Sequence, residues 1–561
     1  MARLPLHLLR GAPFHLGDDD IEWVSRTAEQ LDGDLDQKIA QLFVLGLHGP
    51  AHIWADQIGN LRPGGVTRFF SSDATAEMDL LDTLQQSAAV PLLVSADLEG
   101  SRMSLPFGTQ VPNPLALSAG DDVDMTRDIS RIMADEGRAV GVNWTFTPVL
   151  DINAAFRSAI VATRGYGSDV DRIERHAMAQ ADEFQKAGIA ACLKHWPGEG
   201  YDDRDQHLVT TVNPQTVEEW EASFGRLYRA GIAQGTLSIM SAHIAFPAMI
   251  KEMEPWCSVE EAHIPASLSP ILTRDLLRSR LMFNGVIVSD ASEMAGATSH
   301  MEAGAAKVQM LRAGCDMILF TGDLPGDIAR VRGALDEGSL GHARLNEALT
   351  RVLGLKAKLG LHKQTAGDKD ARRARLNTSQ SQSVAAAAFA KAPTLVKDVD
   401  DLFPITPRTH NRVLVVSSGV VSPLHGAPMP LALPDMMRAK GFEVEVYTPG
   451  QPFEPKEFDL VLYLLAEETL LTRGRIFLDW LRLLGDFRFA MKRPWHDVPT
   501  ALVSFGFPYY LYDAPRMPAV INAYATSDEM QAAVLAAMVG DAPFAGTNPV
   551  DPFCGQEIAK Y

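Results

Sequence analysis

Between residues 40 and 320 a short apolar run is followed, eight times over, by a longer polar or amphipathic segment. The runs lie at 40–47, 65–70, 91–96, 145–149, 190–194, 237–242, 285–289 and 316–320. Runs this short and this evenly apolar suit strands covered on both faces, as in a parallel sheet flanked by helices. The segments 125–140 and 173–187 carry apolar residues at three-to-four spacing and read as helices. Each leads into a glycine, Gly141 or Gly188, that can take the left-handed turn ending a helix. Eight strands with parallel-type connections predict a closed (β/α)8 barrel of the TIM type.

What ends each run narrows the reading further. Run 91–96 leads into Asp97, Glu99 and Arg102, and run 145–149 into Asp151 and Asn153. Run 190–194 ends in Lys194 and is followed by His195; run 237–242 leads into His243 and run 285–289 into Asp290. A single charged residue after a strand is ordinarily a solvated loop residue. Five such ends, gathered by barrel topology round one mouth, stand where this fold builds its active sites. The expectation is one pocket lined by Asp97, Arg164, Lys194, His195 and Asp290.

A chain of 561 residues exceeds what one hydrophobic core serves. From residue 366 the composition turns to Lys, Arg, Gln, Ser and then Ala, as in a helical connector. Beyond it, runs at 412–417, 442–447, 459–465 and 500–505 read as buried parallel strands separated by helices, an open α/β sandwich. The predicted division is a barrel at 1–365, a helical connector at 366–395 and the α/β sandwich domain at 396–561.

The formal net charge of −19 disfavours nucleic acid and anionic membranes as partners, because both repel an acidic surface. The apolar stretch near the start is broken by His7, Arg10 and Pro13, too short for a secretory core, and no apolar run reaches membrane-spanning length. Cys192, Cys257, Cys315 and Cys554 are far apart, without the spacing of a zinc or redox site; Cys192 and Cys315 lie in apolar runs. A cytoplasmic, reduced protein is expected.

The stretch LKHWPGEGYDDRDQHLVTTVN, residues 193–213, is the richest in chemistry. Asp205 and His207 are close enough for the carboxylate to accept a hydrogen bond from the imidazole. Such a bond raises the basicity of the histidine and fixes its tautomer, as a general acid/base requires. Taken alone, the same stretch also reads as a solvated, acid-rich loop.

The stretch resembles the KHFPGHG…D-x-H signature of family-3 glycoside hydrolases, in the branch containing bacterial β-N-acetylglucosaminidases. The resemblance implies that Asp205 and His207 form the acid/base pair on a mobile loop of the barrel. PASLSPILTRDLLRSRLMFNGVIVSDASEM, residues 265–294, resembles the family segment ending in GVVVSDD, whose first aspartate forms the covalent glycosyl intermediate; here that residue is Asp290. PVLDIN with TRGYGSD resembles the substrate-binding segment and implies a sugar contact for Arg164. SADLEGSR resembles D-x-E-G-G-R, which implies Asp97 as a hydroxyl ligand with Arg102 nearby. VSFGFPYYLYDAP, residues 503–515, is similar to the usual partner domain.

The chain departs from the pattern at Glu199 (the histidine of PGHG), Ser101 (the second glycine of EGG) and Ala291 (the second aspartate of SDD). The proline after D-x-H is missing, with Thr210 and Thr211 in that region. The implied reaction is release of terminal β-linked N-acetylglucosamine by a retaining exo-glycosidase. Asp290 forms the glycosyl ester, and His207 first donates and then abstracts a proton. Lys194, His195, Arg164 and Asp97 would orient the ring through charge-assisted hydrogen bonds, with Met294 as pocket wall. No metal or organic cofactor is called for. The departures leave a β-glucosidase or a phosphorylase with the same pair open, and, in a different class, a catalytically silent sugar-binding protein. His243 reads as a structural histidine bridging strands as readily as a ligand, and Trp144 and Trp196 as core. Glu467 and Glu468 are a rival acid, but LLAEETLLTRGR reads as an amphipathic helix carrying them, with Arg473 and Arg475, on its surface.

Overall fold

The computed structural model describes residues 4–49, 53–54, 62–364, 367–422 and 426–561. The predicted boundary between barrel and connector, at residues 365 and 366, lies outside the described residues.

The eight predicted runs hold eight strands: β1 (Phe43–Leu47), β2 (Gly65–Arg68), β3 (Leu93–Ala96), β4 (Trp144–Thr145), β5 (Ala190–Trp196), β6 (Ser238–Ser241), β7 (Val286–Ala291) and β8 (Met317–Leu319). They close into a parallel barrel in the order β1-β8-β7-β6-β5-β4-β3-β2. The boundaries of four strands move in ways that bear on the site. Residues 40–42 leave the first strand because Leu35–Ala40 is helical, capped by the Asp34 carboxylate accepting from the N–H groups of Asp36 and Gln37. β4 is shorter than expected, and a bridge between Val149 and Lys194 takes over its pairing. β5 and β7 run further, so that His195 and Asp290 lie within strands and share their rigidity.

The two clearest helices form as α1 (Val123–Val140) and α2 (Val170–Lys186). Gly141 and Gly188 follow them with φ of 105° and 81°, a left-handed conformation that a Cβ would oppose. Trp144 and Trp196 are fully buried, their indole N–H groups donating to Ser238 Oγ at 2.8 Å and to the Leu272 carbonyl at 3.2 Å. They are core rather than sugar platforms. Cys192 and Cys315 are likewise buried, and burial pushes both thiols up to about 12, which leaves them inert.

The chain forms two compact units. One comprises Met1–Thr109, Ser130–Asp151 and Ala177–Thr378 and contains the barrel strands; the other comprises Gln110–Ile129, Ile152–His176 and Ser379–Tyr561. The second unit holds a six-stranded sheet, built from β9 (Thr394–Asp398), β10 (Arg412–Val421), β11 (Glu443–Val446), β12 (Leu460–Glu467), β13 (Thr500–Ser504) and β14 (Ala519–Asn522). Its order is β9-β14-β13-β12-β10-β11, parallel except for β9. Two strands, β9 and β14, were not expected from the sequence. β11 is an edge strand with mostly exposed residues, not the buried strand predicted.

The helix read from LLAEETLLTRGR does not form. Glu467 ends β12, and the chain from Glu468 to Asp479 is irregular, with Arg473 on a bend. The apolar run from Leu460 to Ala466 is buried on both faces, so it is a central strand, with Glu467 at its end.

Candidate active site

Lys194, in β5, is almost wholly buried and binds two carboxylates that follow β3: Asp97 Oδ1 at 2.8 Å and Glu99 Oε1 at 2.8 Å. A buried ammonium needs such compensation, and two partners fix its direction more tightly than one. The next residue, His195, is held by Asp151. Its backbone N–H donates to Asp151 Oδ1 at 3.0 Å, and its Nδ1 lies 2.6 Å from Asp151 Oδ2. A carboxylate partner at Nδ1 assigns the proton to that nitrogen. Burial raises the Asp151 carboxyl, but the His195 imidazole and the N–H groups of His195 and Glu199 outweigh it and hold it below the usual carboxylate range.

Asp290 is 9% exposed and accepts the Ala291 N–H at 2.8 Å. Burial raises its carboxyl; His195, His243, His207 and that N–H lower it further, and the balance lies below the ordinary value of 3.8. The group is therefore a carboxylate at neutral pH, the form a nucleophile needs. His243 is the structural histidine foreseen as one of its two readings. Its Nε2 donates to the Ala291 carbonyl at 3.0 Å, and its Nδ1 lies 2.8 Å from Ser267 Oγ. A carbonyl only accepts, so Nε2 carries a proton; Ser267 Oγ can donate to Nδ1, and burial lowers the pKa of the ring.

Asp205 is buried, and its Oδ1 accepts from both the His207 N–H at 2.8 Å and His207 Nδ1 at 2.7 Å. The His207 ring is 28% exposed. With Nδ1–H committed to Asp205, Nε2 is the nitrogen available for proton exchange with a bound molecule.

The other expected residues distribute as follows. Met294 is buried, its N–H donating to the Ala291 carbonyl at 3.0 Å, whereas Arg102 is exposed. Arg164 is buried, but in the second unit, on Ile152–His176. Asp151, Glu199 and His195 place donor atoms within 4.8 Å of one another, a grouping that could hold a cation. Hydrogen bonds already engage them: His195 with Asp151, and Glu199 with the Gln206 amide at 2.9 Å. Glu467 and Glu468, expected on a helix surface, are half-buried and buried respectively, within the second unit. Glu467 accepts from Tyr510 Oη at 2.5 Å, and burial raises its carboxyl. Glu468 accepts from the Thr526 N–H at 2.9 Å and hydroxyl at 2.8 Å.

A parallel barrel whose strand ends present a buried carboxylate, a carboxylate-held histidine and a lysine between two carboxylates has the make-up of a glycoside hydrolase. The chain belongs to glycosyl hydrolase family 3: residues 34–355 match the Glycosyl hydrolase family 3 N terminal domain. It is 38% identical, over 98% of its length and 99% of the relative's, to a beta-N-acetylglucosaminidase/beta-glucosidase of Cellulomonas fimi. Among solved structures, Beta-glucoside phosphorylase BglX superposes with a TM-score of 0.91 at 32% identity, covering 99% of this chain and 100% of that one. A family 3 beta-N-acetylglucosaminidase from Paenibacillus sp. str. FPU-7 superposes with a TM-score of 0.79 at 25% identity, covering 93% and 99%. The expected family and barrel fold are thus established.

Proposed function

We propose that the chain is a retaining exo-β-glycosidase that releases terminal β-linked N-acetylglucosamine, with Asp290 as nucleophile and Asp205–His207 as acid/base pair. The observation that carries the proposal is a buried, ionised Asp290 in the electrostatic reach of a histidine whose Nδ1 is bound to Asp205 at 2.7 Å. Asp290 attacks the anomeric carbon while His207 Nε2–H protonates the leaving oxygen. The neutral imidazole then takes a proton from the incoming water as the glycosyl ester is cleaved. Lys194, His195, Asp97 and Arg102 orient the ring hydroxyls, and Met294 walls the pocket. The names of the Cellulomonas fimi and Paenibacillus proteins both include beta-N-acetylglucosaminidase, which supports N-acetylglucosamine as the sugar; the first also includes beta-glucosidase.

Phosphorolysis is the second reading. A neutral imidazole does not repel an anionic acceptor as a carboxylate base would, and the solved structure with a TM-score of 0.91 is named a phosphorylase. The cytoplasm is the proposed location; among the described residues no helix is long and apolar enough to cross a membrane. A panel of chromogenic β-glycosides, each assayed with and without phosphate, tests the sugar and the choice between hydrolysis and phosphorolysis. Fastest release from the N-acetylglucosaminide, with free sugar as product, is expected. A sugar 1-phosphate as product selects the second reading, and turnover of β-glucosides alone overturns the sugar assignment.

A further inference from the structure

Between the two residues of the proposed acid/base pair lies Gln206, to which that mechanism gives no part. Its side chain is 1% exposed, and both ends of its amide are engaged. Nε2 donates to Glu199 Oε2 at 2.9 Å, and Oε1 accepts the backbone N–H of His243 at 3.0 Å. Each partner leads on to the site. The Glu199 N–H donates to Asp151, which holds His195. The His243 imidazole donates to the Ala291 carbonyl, next to Asp290. One amide thus links the loop bearing the acid/base pair to the β5 and β7 ends.

The loop is tied down elsewhere too. The Ala295 N–H donates to the His207 carbonyl at 3.1 Å, and Thr210 Oγ1 to the Gly296 carbonyl at 2.7 Å. At its far end Thr211–Val212 pairs in parallel with Ile244–Ala245, just beyond His243. A Cβ on Gly296 would fall 2.5 Å from the Gln206 carbonyl oxygen and 2.8 Å from His243 Cβ, so this close approach requires glycine.

We propose that Gln206 is a positioning residue for the acid/base step. It holds His207 in place through a donor–acceptor match with Glu199. The match has a polarity that can be reversed. Q206E sets two carboxylates face to face in a buried place, and one of them must take up a proton. E199Q/Q206E restores one amide donor to one carboxylate, which can still accept the His243 N–H.

The inference rests on His207 as acid/base, so H207A is measured alongside in the full chain. Each variant is assayed over pH with an activated aryl glycoside and with an alkyl glycoside whose leaving group needs protonation. For Q206E, kcat/KM should fall about tenfold further on the alkyl substrate than on the aryl one. The deficit should shrink as pH is lowered, and the swap should bring the alkyl substrate back to within about threefold of the original enzyme, an allowance for the context dependence of a buried hydrogen bond. Equal losses on both substrates, no loss on either, or a swap that fails to recover or to fold overturns the inference. If Q206E itself does not fold, Q206M, which removes both hydrogen bonds at similar volume, is judged by the same substrate comparison. Leaving-group dependence in H207A but in no Gln206 variant removes this inference alone. Its absence in H207A removes the acid/base assignment and this inference with it.

Discussion

Asp290 is buried and yet ionised, because histidines and a backbone N–H outweigh the cost of desolvation. Asp290→Ala should therefore leave the fold intact while turnover falls by several orders of magnitude, as loss of a nucleophile does. A 2-fluoro glycoside should label this residue, and labelling of any other carboxylate refutes the assignment. The pH profile follows from the sign of the shift. The carboxylate is the active form and its pKa is lowered, so the acid limb of kcat/KM should lie below the ordinary value of 3.8. A limb at or above that value contradicts the electrostatic account. His207→Ala should cost poor leaving groups roughly 10²–10⁴-fold and activated ones far less, with Asp205→Ala showing the same pattern more weakly. The proposed roles of Asp290, Asp205 and His207 come from compact sequence motifs, and the bond between Asp205 and His207 was foreseeable because its partners are two residues apart. The Asp151–His195 bond was not, since its partners are 44 residues apart. Nor were the contacts of Gln206, an uncharged amide whose partners Glu199 and His243 lie 7 and 37 residues away.

Among the barrel elements, β8 shows a similar gap between what sequence reveals and what folding uses. Asp316 reads as the first residue of an apolar run, yet it precedes the strand and is wholly buried. It binds Arg278 at 2.6 Å and Arg344 at 2.5 Å, with Arg351 at 3.6 Å, and accepts the Ile287 N–H from β7 at 3.0 Å. Burial raises its carboxyl, but the three guanidinium groups and that N–H hold it below the ordinary 3.8. Removing the charge strands buried arginines, so Asp316→Asn should lower the unfolding free energy by about 3–5 kcal/mol, measured by denaturant titration. A lowered folded pKa means that this stabilisation is complete above 3.8 and is lost as pH falls through the folded value. A difference between variant and original that already fades near neutral pH contradicts this. Glu467 has the opposite sign: burial raises its carboxyl above 4.5, so charging it costs stability as pH rises. Glu467→Gln should raise the melting temperature at pH 8 and make no difference at pH 4. It should not introduce leaving-group dependence; if it does, the acid comes from the second unit. The misread helix around Glu467 came from spacing alone. A run apolar on every face is a central strand, and only its neighbours in the sheet decide that.

At the scale of the whole molecule, the barrel was legible because each βα unit signals itself locally, by a short apolar run and a helix with a glycine stop. The grouping of the chain into compact units was not, because it depends on contacts between residues hundreds of positions apart. Residues 110–129 lie between β3 and β4 and residues 152–176 between β4 and β5, yet they group with Ser379–Tyr561. Particular bonds show why. Asn113 Nδ2 donates to the Tyr524 carbonyl at 2.8 Å, the Thr547 N–H to the Ala119 carbonyl at 2.8 Å, and the Ser168 N–H to the Pro549 carbonyl at 3.1 Å. Leu470 makes the same kind of bond to the Ala159 carbonyl at 3.1 Å. A chain ending at Thr378 would keep both stretches and lose every one of these partners, leaving buried backbone groups and apolar faces unmatched. Such a truncation should therefore fail to yield a cooperatively melting, active barrel, even though all eight barrel strands are present. Calorimetry and turnover of the aryl glycoside check this. A soluble 1–378 chain with a sharp transition and undiminished kcat/KM would show that the two inserted stretches need nothing beyond the barrel itself, and would overturn the assignment of those stretches to the second unit's core.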